Sequence, residues 1–344
     1  MSVSNPFPST ASKPGRGIIQ LNLIPPQSST LAQVSYQYPL KLVAPAPLKA
    51  QDNVSVQTVY LLTYGGGIVA GDSIDLNVEI AENTRLILLT QGSTKIFKSP
   101  GPHIRSKQHT TVEIRPGAAL CYLPDPVQPF ERSCFAQRQI YKIISASEGS
   151  DRPIGSICAL DWVTQGRTAA GENWNMWHYG SRNDVWLEAA DLQAAGSKRL
   201  LLRDNLLLQA HASEGADAMQ GNSFAEQMHG IGVYGTLILH GPVFEDLIRY
   251  FHEEFKAIPR IGARQWDAAD EKAMPSSAEL NRSARQSEET KDGLLWTVAT
   301  LRGCTVVKFG AREVEGGKKW LRSMFGEEGT INRHFGERAM LCLK

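Results

Sequence analysis

The chain has 344 residues, with 36 Lys and Arg against 35 Asp and Glu and a formal net charge of +1. That balance provides no global basic field, so neither nucleic acid nor a membrane surface is an expected partner. Five scattered cysteines without a C-x-x-C pair exclude a disulfide framework and a structural zinc site.

In chain order, residues 1–16 are rich in Ser, Pro, Asn and Gly and read as a disordered tail ahead of one β-rich domain over 17–344. No basic segment followed by an apolar one marks a leader, and no run of about 18 apolar residues occurs. A cytoplasmic protein with reduced thiols is expected. Strand-like segments follow at Ile18–Leu23, Val34–Leu42, Thr58–Tyr64, Ser73–Ile80, Arg85–Thr90, Thr110–Ile114, Ala119–Leu123, Ala136–Ile144 and Ile157–Val163. Turn signals such as Ala81-Glu82-Asn83 and Arg115-Pro116-Gly117 separate them.

The run Gly65-Gly66-Gly67-Ile68-Val69-Ala70-Gly71-Asp72 joins two of these strands. A phosphate loop or dinucleotide fingerprint needs a helix after its glycines, whereas here Ile74, Leu76, Val78 and Ile80 alternate with Asp75, Asn77 and Glu79. The glycines therefore form a β-to-β connection. Val78-Glu79-Ile80 with Leu86 recurs 34 residues later as Val112-Glu113-Ile114 with Leu120. Leu89-Thr90-Gln91-Gly92 is echoed by Val163-Thr164-Gln165-Gly166. Such repeats predict stacked β layers of the β-helix or solenoid kind. Helical spacing comes late, at Pro242–Phe251 and Glu313–Phe325, with a strand pair at Leu294–Leu301 and Cys304–Phe309 between them. His211–Gln227 reads as a loop, and Ala263–Asp292 as a mobile, charged surface insertion.

Several segments gather chemistry-bearing residues, each with a plainer alternative. Asp72 and Asp75 flank the glycine turn, either as transient cation ligands or as a turn cap and a solvated strand residue. Thr94 and Lys95 follow Gln91-Gly92-Ser93, as an anion site or as a polar hairpin corner. Three prolines between Leu123 and Phe130 fix a rigid, extended path beside Asp125 and Glu131, or simply an edge loop. Asp161, Arg167 and Glu172 lie with Trp162 and Trp174 within fourteen residues, and small residues allow Arg167 and Glu172 to form a buried or rim ion pair, or simply an ordinary surface salt bridge. The eight histidines show no H-E-x-x-H spacing and no G-x-S-x-G elbow occurs, leaving a hydrolytic zinc site or serine triad unsupported.

Four stretches, taken in order, resemble the urease accessory proteins of the UreD (UreH) family. They are Gly65–Asp72, Leu88–Phe97, Leu123–Phe130, and Gly166-Arg167 with Gly171-Glu172-Asn173-Trp174. Thr305–Lys308 and Trp320–Arg322 extend the likeness, which runs from Gly17 to Lys344 with Ala263–Asp292 as extra material. Ser93 and Phe97 depart from the family pattern, which has Ala and an aromatic such as Tyr there. The resemblance implies a largely β-helical protein with helices near its C-terminus and no enzymatic activity. It also implies binding to apo-urease, a complex with UreF and the nickel-carrying GTPase UreG, and an internal route for Ni2+ in transit, with no permanently bound cofactor. Carried over by motif, Asp72, Thr94, Lys95, Asp125, Glu131, Asp161, Arg167 and Glu172 become candidates for the cation route or for assembly. Asp72, Glu131 and Glu172 are the transient nickel ligands among them, with Lys95 and Arg167 as pairing partners. Ni2+ accepts carboxylate and water, and sparse carboxylates suit passage better than a closed cage does. The competing reading is a β-solenoid enzyme doing acid/base chemistry on a polysaccharide through Asp125, Glu131 and Glu172.

Overall fold

Period two sends every second side chain of a strand to the same face, and this alternation organises the molecule. The computed structural model describes residues 13–24, 28–145, 154–189, 198–209, 224–258 and 277–344. A hairpin of β1 (Arg16–Ile24) and β2 (Ser28–Tyr36) is followed by β3 (Leu40–Val43) and β4 (Leu48–Lys49). The chain then climbs in layers. β5 (Ser55–Thr63) leads through a 3₁₀ turn and β6 (Gly67–Ile68) to β7 (Ser73–Ile80). β8 (Arg85–Thr90) and β9 (Thr94–Ile96) lead to β10 (Ser106–Ile114), and β11 (Ala119–Tyr122) and β12 (Val127–Pro129) to β13 (Cys134–Ser145). β14 (Ser156–Thr164) leads to β15 (His178–Ala189), which pairs with β16 (Lys198–Gln209). After α1 (Phe224–Gln227) come β17 (Val233–His240), α2 (Glu245–Lys256), α3 (Ser277–Lys291), β18 (Leu295–Leu301), β19 (Cys304–Ala311), α4 (Val314–Glu328), α5 (Thr330–Phe335) and a closing 3₁₀ segment (Glu337–Leu343).

Two sheets result, ordered β16-β15-β13-β10-β7-β1-β2 and β18-β19-β17-β14-β11-β8-β5-β3. The runs β1-β7-β10-β13-β15 and β5-β8-β11-β14 are parallel, and antiparallel strands flank both. The 34-residue repeat is one layer: Val78 stands beside Val112, Ile80 beside Ile114, and Leu86 beside Leu120. One apolar core fills the space between the sheets. A second lies between the outer face of the second sheet and α2, α4 and α5. The fold is mainly β with helices toward the C-terminus, and no sheet among the described residues closes on itself.

The triple glycine makes the expected β-to-β connection, and each glycine has a reason. Gly65 and Gly66 both adopt φ +76°, left-handed backbone that side chains disfavour. Gly67 is extended but crowded: a Cβ there would lie 2.7 Å from both Lys95 O and Phe97 Cε2. β6 pairs with β9, β9 with β12 and β12 with β14, so this corner is a narrow parallel ladder joined to the second sheet.

Late in the chain the expected helices form, opened at Pro242 by a 3₁₀ turn and at Glu313 by an extended N-cap residue. The β18–β19 hairpin turns on Arg302 and Gly303, both at positive φ, the geometry of a two-residue hairpin loop. Three sequence expectations change. Within the 1–16 tail, residues 1–12 lie outside the described segments, but Gly15 donates to Tyr38 O and Arg16 opens β1. Within the 263–292 insertion, 263–276 lie outside them, but Ser277–Lys291 is a helix docked through Arg285, 5% exposed, which pairs with Glu254, Glu289 and Glu327. Its docking group is a buried guanidinium, which an apolar pattern does not register. Within the expected 211–227 loop, 211–223 likewise lie outside and Phe224–Gln227 is α1.

Gly67→Ala is expected to destabilise the chain by about 1–3 kcal/mol through overpacking. An Ala at the open Gly65 should cost only backbone strain of roughly 1–2 kcal/mol. Urea denaturation of both variants checks this; a neutral Gly67→Ala would mean that the corner is loosely packed.

Candidate functional site

In-register layers turn a one-strand pattern into columns running across the sheet. Inward positions of the first sheet read Ile74–Gln108–Gln137–Ser181 and Leu76–Thr110–Gln139–Asn183 along two neighbouring columns. The next two columns are apolar or aromatic: Val78–Val112–Tyr141–Val185 and Ile80–Ile114–Ile143–Leu187. Between the sheets the core is thus greasy at one end of the strands and polar at the other. Opposite this polar end, the inward positions of β14 are Ile157, Ala159, Asp161 and Val163, so a carboxylate stands in an apolar column.

Asp161 is caged by donors. Gln137 Nε2 reaches Oδ1 at 2.6 Å, Asn183 Nδ2 reaches Oδ2 at 2.6 Å, and Ser181 Oγ also donates to Oδ2. Burial holds its carboxyl above the ordinary range despite these hydrogen bonds, which pull it down. Asn183 Oδ1 is buried and has no hydrogen-bond partner, so one uncommitted oxygen acceptor accompanies the cage. Burial likewise pushes up the phenols of Tyr122, Tyr141 and Tyr179 nearby, with Asp161 adding to the effect.

The cage borders an inner chamber of about 20 Å³, walled by Thr90, Thr94, Gln108, Tyr122, Asp125, Gln137, Gln139 and Asp161 among others. That volume suits about one water molecule. A hollow of about 110 Å³ on one side shares Thr90, Thr94, Gln108 and Tyr122 with it, and its polar walls are hydroxyls and amides. A more open hollow of about 450 Å³ shares Thr90 and Asp125, and is completed by Tyr60, Leu341 and Cys342. Asp125 is tied down at the junction. Its Oδ2 accepts from Gly92 N at 3.0 Å and Thr90 Oγ1 at 3.4 Å, and its Oδ1 meets Lys318 Nζ at 3.0 Å.

The corner outside the chamber is a stacked column. Phe97 and Phe130 meet edge to face at 5.4 Å, and the Arg167 guanidinium lies 3.8 Å over the Phe130 ring. Glu172, 4% exposed, receives Arg167 Nε at 3.1 Å, Arg167 Nη2, and Arg167 N at 2.9 Å. Burial would raise its carboxyl, but these bonds outweigh burial and hold it below the ordinary range.

The family model of the UreD urease accessory proteins matches residues 15–340. The chain belongs to the UreD urease accessory protein family. A UreD-like urease accessory protein of Schizosaccharomyces pombe is 27% identical, over 88% of this chain and 91% of its own length. Urease accessory protein 4 of Cryptococcus neoformans var. grubii is 30% identical, over 92% and 91%. Urease accessory protein D of Arabidopsis thaliana is 32% identical, over 66% and 69%.

Of the residues that the UreD likeness singled out, Thr94, Asp125 and Asp161 line the chamber. Arg167 and Glu172 form the expected ion pair in the corner. Asp72 accepts from Val69 N at 3.0 Å and so caps its own turn. Lys95 is exposed and makes no ion pair among the described residues; Lys98 instead reaches Glu131, at 2.9 Å. Lys95 points away because successive strand residues alternate faces and Thr94 takes the inward one. Sequence reading missed Gln108, Thr110, Gln137, Gln139, Ser181 and Asn183. Their signal was present as polar residues two apart on the inward side of strands that continue apolar. Two of the three carboxylates that the enzyme reading names lack the raised value that a general acid needs. Glu131 is held low by Lys98, and Glu172 is held low as well. Among the described residues no group of three or more His, Cys, Asp or Glu is placed to cage a metal, and no helix is long and apolar enough to cross a membrane.

Two measurements test the site. The Asp161 carboxyl sits above its unfolded value of about 3.9, so its ionisation penalty is absent in acid and complete above the folded value. Asp161→Asn cannot ionise, so its urea midpoint relative to wild type should rise from about pH 3 to 7. A pH-independent difference would mean that Asp161 is not strained by burial. Arg167→Ala leaves the buried Glu172 carboxylate with its backbone N–H bond but no counter-charge, and should lower the urea midpoint more than loss of an exposed surface pair does. Because the Glu172 carboxyl is held low, that difference should vanish as the pH falls through its folded value. A midpoint unchanged at neutral pH, as for a surface pair, would refute this account.

Proposed function

We propose that this chain is a non-catalytic, cytoplasmic scaffold that binds apo-urease and works with UreF and the GTPase UreG to deliver nickel to the urease active site. Ni2+ is cargo in transit, held by no permanent site, and the polar chamber around Asp161 is part of its route. One observation carries the reading: two carboxylates, Asp125 and Asp161, line one small chamber whose other polar walls are neutral. Ni2+ binds carboxylate, amide and hydroxyl oxygens but is held tightly by soft or nitrogen-rich cages. A sparse oxygen lining therefore permits release. The unpartnered Asn183 Oδ1 beside Asp161 adds an acceptor that a cation would satisfy.

Family membership supports the urease connection, and the named partners follow from the UreD likeness. Parallel strands alternating between two sheets support a β-helical description of the domain. In this scheme Thr94 lines the passage, while Arg167 and Glu172 brace the corner. Asp72, Lys95 and Glu131 lie nearer the surface, where assembly contacts are formed.

In cells producing Asp161→Asn, urease is expected to contain several-fold less nickel while this chain still co-purifies with apo-urease and UreF. Nickel analysis of purified urease, with pull-downs in parallel, is the check. Lost co-purification would make Asp161 an assembly residue. Undiminished nickel would remove the chamber from the route.

A further inference from the structure

Asp125 is the carboxylate common to the inner chamber and the open hollow beside Cys342. Lys318 of α4 reaches it from 193 residues further along the chain, and the two side chains are only 16% and 10% exposed. Drawing an ammonium this far out of water carries a desolvation cost that a surface lysine avoids. The inner chamber has one other carboxylate, and the 110 Å³ hollow on its far side has none. Asp125 is therefore the acidic group that an incoming cation meets first from the Cys342 side, and an internal cation already occupies it.

We propose that Lys318 is the positioning residue that keeps the chamber closed to cations from this side: its ammonium holds the place at Asp125 that a divalent ion would take. The proposal rests on the cation-route reading above and names how that route is controlled. An ion arriving at Asp125 must displace the ammonium or remain outside. Lysine suits such a task. It is a compact charge on a flexible four-carbon stem, so it can withdraw without breaking a rigid fork of hydrogen bonds, as an arginine would have to. Its backbone is also well placed to move together with the hollow. α4 packs on the closing 3₁₀ segment, whose Leu341 and Cys342 wall the same hollow. The Cys342 thiol donates to Thr90 O at 3.3 Å, and burial pushes it up to about 12, so the wall adds no competing anion at neutral pH.

Calorimetric titration of the full chain with nickel chloride tests this, using wild type, Lys318→Met, Lys318→Gln, Lys318→Arg, the Lys318→Met/Asp125→Asn double variant and Asp161→Asn. Urea midpoints confirm folding of each, and Lys318→Gln keeps a donor to Asp125 should the Met variant fail to fold. Removing the ammonium should tighten Ni2+ binding about tenfold or more, the scale of one like charge beside a partly buried group. Lys318→Arg should bind Ni2+ no more tightly than wild type, and the gain should vanish in the double variant. Unchanged affinity on loss of the ammonium, or a gain that persists without the Asp125 carboxylate, overturns the assignment of Lys318. If Asp161→Asn weakens binding while the Lys318 variants change nothing, the cation route stands and this control of it falls. Absence of Ni2+ binding in every variant and in wild type removes the route, and this proposal with it.

Discussion

Registration of successive layers at the corner where the second sheet hands the chain to the first governs the rest of the structure. Parallel strands sit about 4.8 Å apart, so each corner residue must fit within one strand spacing of its counterpart above. Gly67, Phe97, Phe130 and Arg167 meet that limit by different means: one has no side chain, two meet edge to face as rings, and one sits over a ring. Glu172 then fixes the last member by accepting both its guanidinium and its backbone N–H. Because the corner holds register, inward positions line up as columns, and a polar choice on each strand becomes a shared wall.

That wall contains two carboxylates kept quiet by different physics. Asp161 sits in a donor cage so deep that burial outweighs three hydrogen bonds and holds its carboxyl above the ordinary range. Asp125 is matched by a full positive charge from α4. Hydrogen-bond donors around one and an ammonium beside the other offset part of the cost of drawing two carboxylates out of water. The corner pair Arg167–Glu172 works in the opposite sense, with a low carboxyl and a permanent partner, as befits a brace.

Local sequence made much of this legible. Alternation located β7, β8, β10, β11, β13 and β14, and the 34-residue repeat marked the layers, because a layer recurs as similar residues at a fixed distance. The UreD likeness selected Asp125, Asp161 and Thr94 from their motifs. What stayed hidden is what register alone reveals. Gln137 and Ser181 are 44 residues apart and become neighbours only once β13 and β15 are aligned. β15 escaped notice because its inward Tyr179, Ser181 and Asn183 do not look like core. α3 escaped notice because its anchor is Arg285, and Lys318 because nothing near it in sequence names Asp125.

The layered construction also limits how the gene can drift. A strand shifted by one residue turns all its inward side chains outward, so an insertion within any of the parallel strands would scatter the chamber wall in a single step. Length changes can be absorbed only where the chain leaves the ladders, or as entire rungs added and removed together. Descent in this lineage should therefore show substitutions along the rungs and indels between them.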